Sequence, residues 1–444
     1  MSVRSEPVAG LRSITRALRY RNYRLFFGGQ SISLIGTWMQ RIALAWLVYR
    51  LTNSAFLLGL VGFSGQIPTF LFASFAGVLV DRWNRHRMLV VTQVLSMAQA
   101  FTLSLLILTG TVRVWHIVVL SLLLGIVNAF DIPARQSFVV EMVEGKEDLG
   151  NAIALNSSMV NAARLLGPSM AGILIAAVGE GTCFLINGLS YLAVVVALLA
   201  MRTRPRDSKQ RNSWIRQELR DGFIYTFGFA PIRAILLLLA LVSLMGMPYV
   251  VLMPVFAKDV LHGGPHALGF LMGASGVGAL VGALYLASKK SVLGLGRLIP
   301  VTASVFGAGL VAFSLSHVLV LSLLLMLVVG FGQMVQMASS NTILQTIVED
   351  DKRGRVMSFY TMAFMGMAPF GSLFAGTLAS KIGAPNTLMI GGIACLFGSV
   401  FFAKKLRSIR EMVRPIYEKM GIIPEIASGL QSATESSLPK ENVE

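Results

Sequence analysis

The chain has 444 residues, of which 55% are hydrophobic and 13% charged, and it carries a formal net charge of +17. Water-soluble domains carry about twice that density of charge, so a soluble fold is excluded. Continuous apolar runs of about 20 residues recur along the chain, which points to a polytopic α-helical membrane protein and not to a barrel of period-two strands.

Twelve spans are expected, at 22–50, 55–80, 88–110, 114–139, 149–178, 182–201, 232–257, 267–288, 297–316, 318–346, 355–381 and 386–404. The first carries Arg41 and lacks a small-residue cleavage site, so it reads as a span and not as a cleavable signal. With the N-terminus in the cytoplasm, the inner loops collect Arg12 to Arg24, Arg82, Arg85, Arg87, the Arg202–Arg220 linker, Lys289, Lys290, Lys352 to Arg355 and Lys404 to Arg414. The outer loops keep Arg50, Arg113, Lys258 and Lys381. That asymmetry predicts cytoplasmic termini, and it explains the basic surplus by topology and the lipid bilayer, with no nucleic-acid partner.

The organisation expected is an N-terminal arm (1–21), a six-helix bundle (22–201), a basic linker (202–231), a second six-helix bundle (232–404) and a tail (405–444). In the linker, Trp214, Ile215, Leu219, Phe223 and Phe227 recur at helical spacing and predict an amphipathic surface helix. The tail is polar after Arg414 and predicts disorder. The halves echo one another. VEGKEDLGNAIALNSSM leading to GPSMAGILIAAVG matches VEDDKRGRVMSFYTMAF leading to GSLFAGTLASKIG, about 204 residues on; LLGLVGFSG (57–65) echoes ALGFLMGAS (267–275). Parallel repeats of six helices place a substrate site near the bilayer midplane between the halves.

The turn GVLVDRWNRHRMLV (77–90) sets Asp81 at a helix C-terminus, where a carboxylate opposes the helix dipole. It needs a positive partner. Arg82 or Arg85 of its own turn could serve, and so could the N-terminus of a neighbouring helix, which Gly77 would let approach. Here the chain resembles the major facilitator superfamily, whose loop between helices two and three runs Gly-x-Leu-Ala-Asp-Arg-x-Gly-Arg-Arg/Lys. Gly77, Leu79, Asp81, Arg82, Arg85 and Arg87 stand at or near matching places, while Val80, Asn84 and His86 depart from the pattern. Asn84 for Gly is a mild departure, since Asn tolerates a left-handed backbone. The resemblance implies that Asp81 docks on helix eleven, and that Arg85 pairs with Asp131 in a relay latching the outward-open state. Asp131 and Arg135 are also four residues apart on one helical face, where they could simply pair with each other.

Ala163, Arg164, Gly167, Pro168, Ala171 and Gly172 resemble the helix-five motif of the superfamily's antiporters, Gly-x-x-x-Gly-Pro-x-x-Gly-Gly, with Ala at 163 and 171. That resemblance implies export; the bare alternative is a Gly-Pro kink. GTWMQRIALAWLVYRLTNSA and NSSMVNAARLLGPSMAG resemble the branch of macrolide efflux proteins and the enterobactin exporter.

Arg41 and Arg164 fall inside spans without an acid at the same depth. An arginine facing lipid there costs about 2.5–3.5 kcal/mol, so both are expected to face the bundle interior. Gln40, Asn156, Asn161, Gln333 and Gln336 are the candidate polar companions. The cavity is thus expected to favour anionic or polyphenolic solutes; the alternative is that one arginine only hydrogen-bonds helix carbonyls. Cys183 and Cys395 have no metal-ligand spacing, and no metal or cofactor is expected. A phosphate-binding loop and a metalloenzyme motif are both missing from the sequence, which disfavours an ATP-driven pump and an enzyme. The expectation is an all-α protein of two pseudo-symmetric six-helix bundles, a monomeric secondary exporter of a small organic solute in the cytoplasmic membrane. Protons as coupling ion rest on the resemblance alone. An importer or a lipid-moving or scaffolding protein of the same fold is the alternative.

Overall fold

The computed structural model describes residues 15–143, 145–202, 223–289 and 291–420, and at 73, 74, 77, 78, 81, 82, 146, 350 and 351 the backbone alone. No strand occurs among the described residues. Six helices form the first half: α1 (Arg21–Thr52), α2 (Ala55–Arg82), α3 (Arg85–Leu108), α4 (Val114–Met142), α5 (146–178) and α6 (180–199). The last two are one run broken at Gly179, whose φ of 80° and ψ of 169° no helix contains. The second half comprises α7 (Ala230–Val260), α8 (Pro265–Ala287), α9 (Leu295–Ser314), α10 (Leu319–Ile347), α11 (350–382) and α12 (Ala384–Lys419). Wide π turns interrupt α7 at Val242–Gly246 and α11 at Met362–Gly366, each followed within three residues by a proline that cannot donate to the preceding turn.

Twelve crossings bring the described chain back to the side on which it starts. That face holds Arg19, Arg85 and Lys404 and is called the basic side; the face holding the α1–α2 and α7–α8 turns is the far side. Local chemistry sets the turns. Asn53 caps α1 in a left-handed conformation, φ 47°, and Ser54 Oγ accepts from Leu57 N to start α2. Asn84 does not use the left-handed conformation that asparagine tolerates. Its φ is −69°, and its side chain accepts from Arg87 N at 3.0 Å as the N-cap of α3. The expected linker helix lies outside the described residues except for 223–228, where Phe223 and Phe227 pack against Phe359 of α11. The expected last span ends at 404, but α12 continues to Lys419 because Ile409 and Val413 keep an apolar stripe against the core.

Each half is a bundle: α1 packs on α5 and α6, α2 on α4, and α3 on α4 and α6, while α8 packs on α10, α9 on α10 and α12, and α7 on α12. The halves meet at two crossings, α2 with α11 and α5 with α8. At the first, a Cβ on Gly59 would lie 2.8 Å from Gly376 Cα and 2.6 Å from the Ser372 carbonyl oxygen. At the second, a Cβ on Gly172 would lie 2.9 Å from Gly269 Cα and 2.8 Å from the Pro265 carbonyl oxygen. Backbone touches backbone, which only glycine allows.

These four glycines are the sequence repeat. Gly172 corresponds to Gly376 and Gly59 to Gly269, so each crossing pairs one member of one echo with one member of the other. The correspondence continues outward from them. Gly179 and Gly383 close the matched segments with φ of 80° and 83°. Gly167 receives α1 at Trp38, and its counterpart Gly371 receives α7 at Leu244 and Pro248. A pseudo-two-fold relation between the halves follows from these contacts.

Candidate functional site

The basic-side rim comes first. Asp81 and Arg82 close α2 and Gly77 lies one turn earlier, but their side chains are outside those described. Arg85 opens α3, and its Nη1 lies 2.6 Å from Glu141 Oε1. The Arg85–Asp131 bridge expected from the resemblance is not formed. Asp131 lies eleven residues inside the end of α4, about 16 Å along the axis, beyond the reach of a side chain on the rim. Glu141 is one residue from that end; α4 runs three residues past the expected boundary at 139 and carries it into place.

Asp131 is 4% exposed and takes the other reading. Arg135 Nη2 lies 3.3 Å from Asp131 Oδ2, one turn along α4. Thr92 Oγ1 and Gln93 Nε2 of α3 both donate to Asp131 Oδ1 at 2.8 Å. A buried carboxylate is tolerable only with such a set of donors. A second buried acid, Asp148, was not singled out in the sequence. It sits in the first turn of α5, where the helix dipole favours it. Arg19 Nη2 lies 2.6 Å away and Tyr20 OH donates to it at 3.1 Å. The short helix Arg16–Arg19 is thereby fastened to α5.

On the far side, polar contacts bridge the two halves. Tyr49 OH donates to Asp259, and Lys258 Nζ donates to Asn53 Oδ1 at 2.6 Å. Arg50 holds Glu180 with two bonds, at 2.6 and 3.3 Å, within the first half.

Between these levels lie the middles of the spans. Arg41 is about 16 Å from the far end of α1 and Arg164 about 21 Å from that of α5, so both are near the middle of their spans. The structure brings them together on a residue the sequence reading passed over. Trp38 carries the Arg41 guanidinium 4.7 Å and the Arg164 guanidinium 5.8 Å from its ring centre. The helix-five motif builds this seat. A Cβ on Gly167 would lie 2.5 Å from Trp38 Cβ and 3.0 Å from the Ile35 carbonyl oxygen, so α1 settles against α5 only because that residue is glycine. Arg164 is three residues away on the same face of α5. Ala163 and Ala171 are buried and Pro168 lies within the helix; Gly172 belongs to the far-side crossing. Across the seam, a Cβ on Gly276 of α8 would lie 3.5 Å from the Arg164 carbonyl oxygen and 3.2 Å from Leu165 Cα, so the second half packs beside the same stretch of α5. A groove of about 230 Å³ between α1 and α5, lined by Phe27, Ser31, Ile35, Ser158 and Ala162 among others, adjoins this site on its basic side.

Three of the expected polar companions are spent elsewhere. Gln40 is 3% exposed; it donates to Gln99 at 3.0 Å and accepts from Asn187, tying α1, α3 and α6 inside the first half. Asn161 donates to Ser157 O of its own helix. Gln333 accepts from Tyr249 OH at 3.3 Å and turns its amide toward Met247. Gln336 is buried, and its Nε2 has no partner among the described residues. For Gln40 and Gln333 the facing neighbour decided the outcome, which a span-by-span reading does not contain. The one available signal for Trp38 was its place three residues before Arg41 on a common helical face. No cluster able to hold a metal ion occurs among the described residues.

Comparison with known proteins supports a transport role for this architecture. The chain is similar to the staphyloferrin A transporter of Staphylococcus aureus, 25% identical over 85% of this chain and 95% of that one. It is 24% identical to the multidrug efflux pump Tap of Mycolicibacterium fortuitum over 84% and 93% of the two chains. It is 23% identical to macrolide efflux protein A of Streptococcus pyogenes over 85% and 96%. Among solved structures, a bacterial homolog of the human lysosomal transporter Spinster, in an inward-facing and unoccupied conformation, superposes with a TM-score of 0.67 at 14% identity, over 90% of this chain and 98% of that one. A peptide-bound transporter of the POT family superposes with a TM-score of 0.70 at 11% identity, over 88% and 96%. The family model described as transmembrane secretion effector matches residues 13–419. The chain therefore belongs to the transmembrane secretion effector family of the major facilitator superfamily, and it is a membrane transporter, not an enzyme.

Proposed function

We propose that the protein exports a small organic anion across the cytoplasmic membrane by alternating access, as a monomer with both termini in the cytoplasm. One observation carries the substrate class: two arginines near mid-membrane share one indole beside the seam between the halves. A charge at this depth persists only where it faces water or a partner, and no described acid pairs with either arginine. The glycine crossings seal the far side, so this arrangement corresponds to the inward-facing half of the cycle. The opposite half of the cycle is latched on the basic side by Asp81 docking on the start of α11, and Arg85 beside it is held by Glu141. Export is the direction supported by the efflux relatives.

A proton gradient drives the cycle in this reading, and Asp131 is its protonatable group. It is buried and released from the rim pair, with Thr92, Gln93 and Arg135 around it. The test is transport by the full chain in proteoliposomes. Arg41→Ala and Arg164→Ala are each expected to slow an organic anion about tenfold or more while sparing an organic cation, the usual scale for losing a charge-assisted contact. Equal losses for both solutes overturn the anion reading. Transport that persists without a pH gradient overturns the coupling.

A further inference from the structure

The arrangement of Arg41, Trp38 and Arg164 says more than the sign of the substrate. A guanidinium stacked on an aromatic ring spends its flat face on the π cloud and keeps its in-plane N–H donors for other partners. Both arginines approach the same ring, at 4.7 and 5.8 Å from its centre. Their central carbons are therefore no more than about 10.5 Å apart, by simple geometry. Neither guanidinium has a hydrogen-bond or ion-pair partner among the described residues, whereas Arg19, Arg50, Arg85 and Arg135 all do. Two like charges are thus held within about 10.5 Å of each other, with their donor edges unspent, by an uncharged residue that neutralises neither.

A solute with one carboxylate would satisfy one of these forks and leave the other facing its own like charge. A solute with two carboxylates satisfies both, each by the paired N–H···O geometry that guanidinium offers a carboxylate. We infer that Arg41 and Arg164 form a single site for organic dianions, and that Trp38 is the positioning residue that sets their separation and so the preference for two acid groups over one. This rests on the anion reading above and narrows it. Gly167 contributes indirectly: it admits Trp38 against α5, so that the arginine of one helix and the indole of the other meet.

The experiment measures binding by calorimetry to the purified full chain, with glutarate, butyrate and tetraethylammonium as probes. Glutarate is expected to bind at least about tenfold more tightly than butyrate, the scale of one added charge-assisted pair. Trp38→Leu, which removes the ring, is expected to collapse that ratio toward one; Trp38→Phe, which keeps a π face, is expected to retain most of it. Thermal unfolding checks that each variant is folded. Should Trp38→Leu not fold, Arg41→Gln, which leaves the helix seat intact, is expected to bring glutarate down to the butyrate level. Equal binding of the two acids by the wild type, an unchanged ratio in Trp38→Leu, or Trp38→Phe behaving like Trp38→Leu overturns this inference and leaves the anion reading standing. Binding of tetraethylammonium with neither acid bound overturns the anion reading itself.

Discussion

The far-side seam and the basic-side rim hold the molecule together in different ways. At the far side the halves touch each other, with glycine against glycine at two crossings and two polar contacts between α1 and α7. At the rim, the ion pairs formed among the described residues of the first half hold that half together: Arg85 with Glu141, Arg19 and Arg16 with Asp148. A backbone crossing of this kind rests on van der Waals contact and close fit, so it can part and re-form without stripping a charge of its partner. Ion pairs within one half do the opposite, stiffening a body that has to move as a unit. The difference teaches which contacts are built to open.

The hardest way to break the comparison is to fill a crossing. A Cβ on Gly376 would already lie 2.7 Å from Gly59 Cα and 2.7 Å from the Ala55 carbonyl oxygen. Gly376→Leu is expected to prevent the seal and cut transport about tenfold or more, since overpacking a close contact costs about 1–3 kcal/mol. A cysteine placed at Phe63 should then react with a membrane-impermeant reagent added from the far side. Normal transport in Gly376→Leu would remove the seam from the mechanism.

A smaller effect sharpens the rim. Arg85 and Glu141 are each about a quarter exposed, so their pair is worth about 1 kcal/mol after solvent screening. Arg85→Gln and Glu141→Gln are expected to slow transport several-fold and to be non-additive in the double variant. Arg85→Gln with Asp131→Asn should be additive, because those residues belong to different clusters; coupling between them would restore the other pairing. The smallest effect is expected at the exposed end of the seam. Asp259→Asn leaves the glycine crossings untouched, and because Asp259 is exposed it should change transport about twofold or less. A larger loss would move the weight of closure from the crossings to the polar latch.

Much of this was legible in the residues. Apolar length marked every span to within a few positions, apart from the far-reaching end of α12, because a membrane helix is recognised by composition over 20 residues. The repeat was legible too, and its glycines turned out to be the contact points between halves. What could not be read was register across helices. The resemblance implied that Asp131 pairs with Arg85, but its depth along α4 gives that place to Glu141, and Asp131 takes the alternative pairing with Arg135. Gln40 was expected in the cavity because it neighbours Arg41, but a rotation of about 100° per residue turns it toward Gln99 and Asn187. Asn84 was read as a tolerable replacement for the motif's glycine, and it serves as the N-cap of α3.

The sequence by itself determined that this chain crosses a membrane many times, in two related halves, with a basic face and two arginines placed along its spans. Those are properties of local composition and of the cost of placing charge in hydrocarbon, and they need no knowledge of neighbours. Tertiary structure alone decided that Trp38 gathers both arginines, that Glu141 takes Arg85, and that Gly59, Gly172, Gly269 and Gly376 meet in pairs. Each of those depends on the facing side of a second helix, and the angle and depth at which two helices meet are set by packing over their whole length.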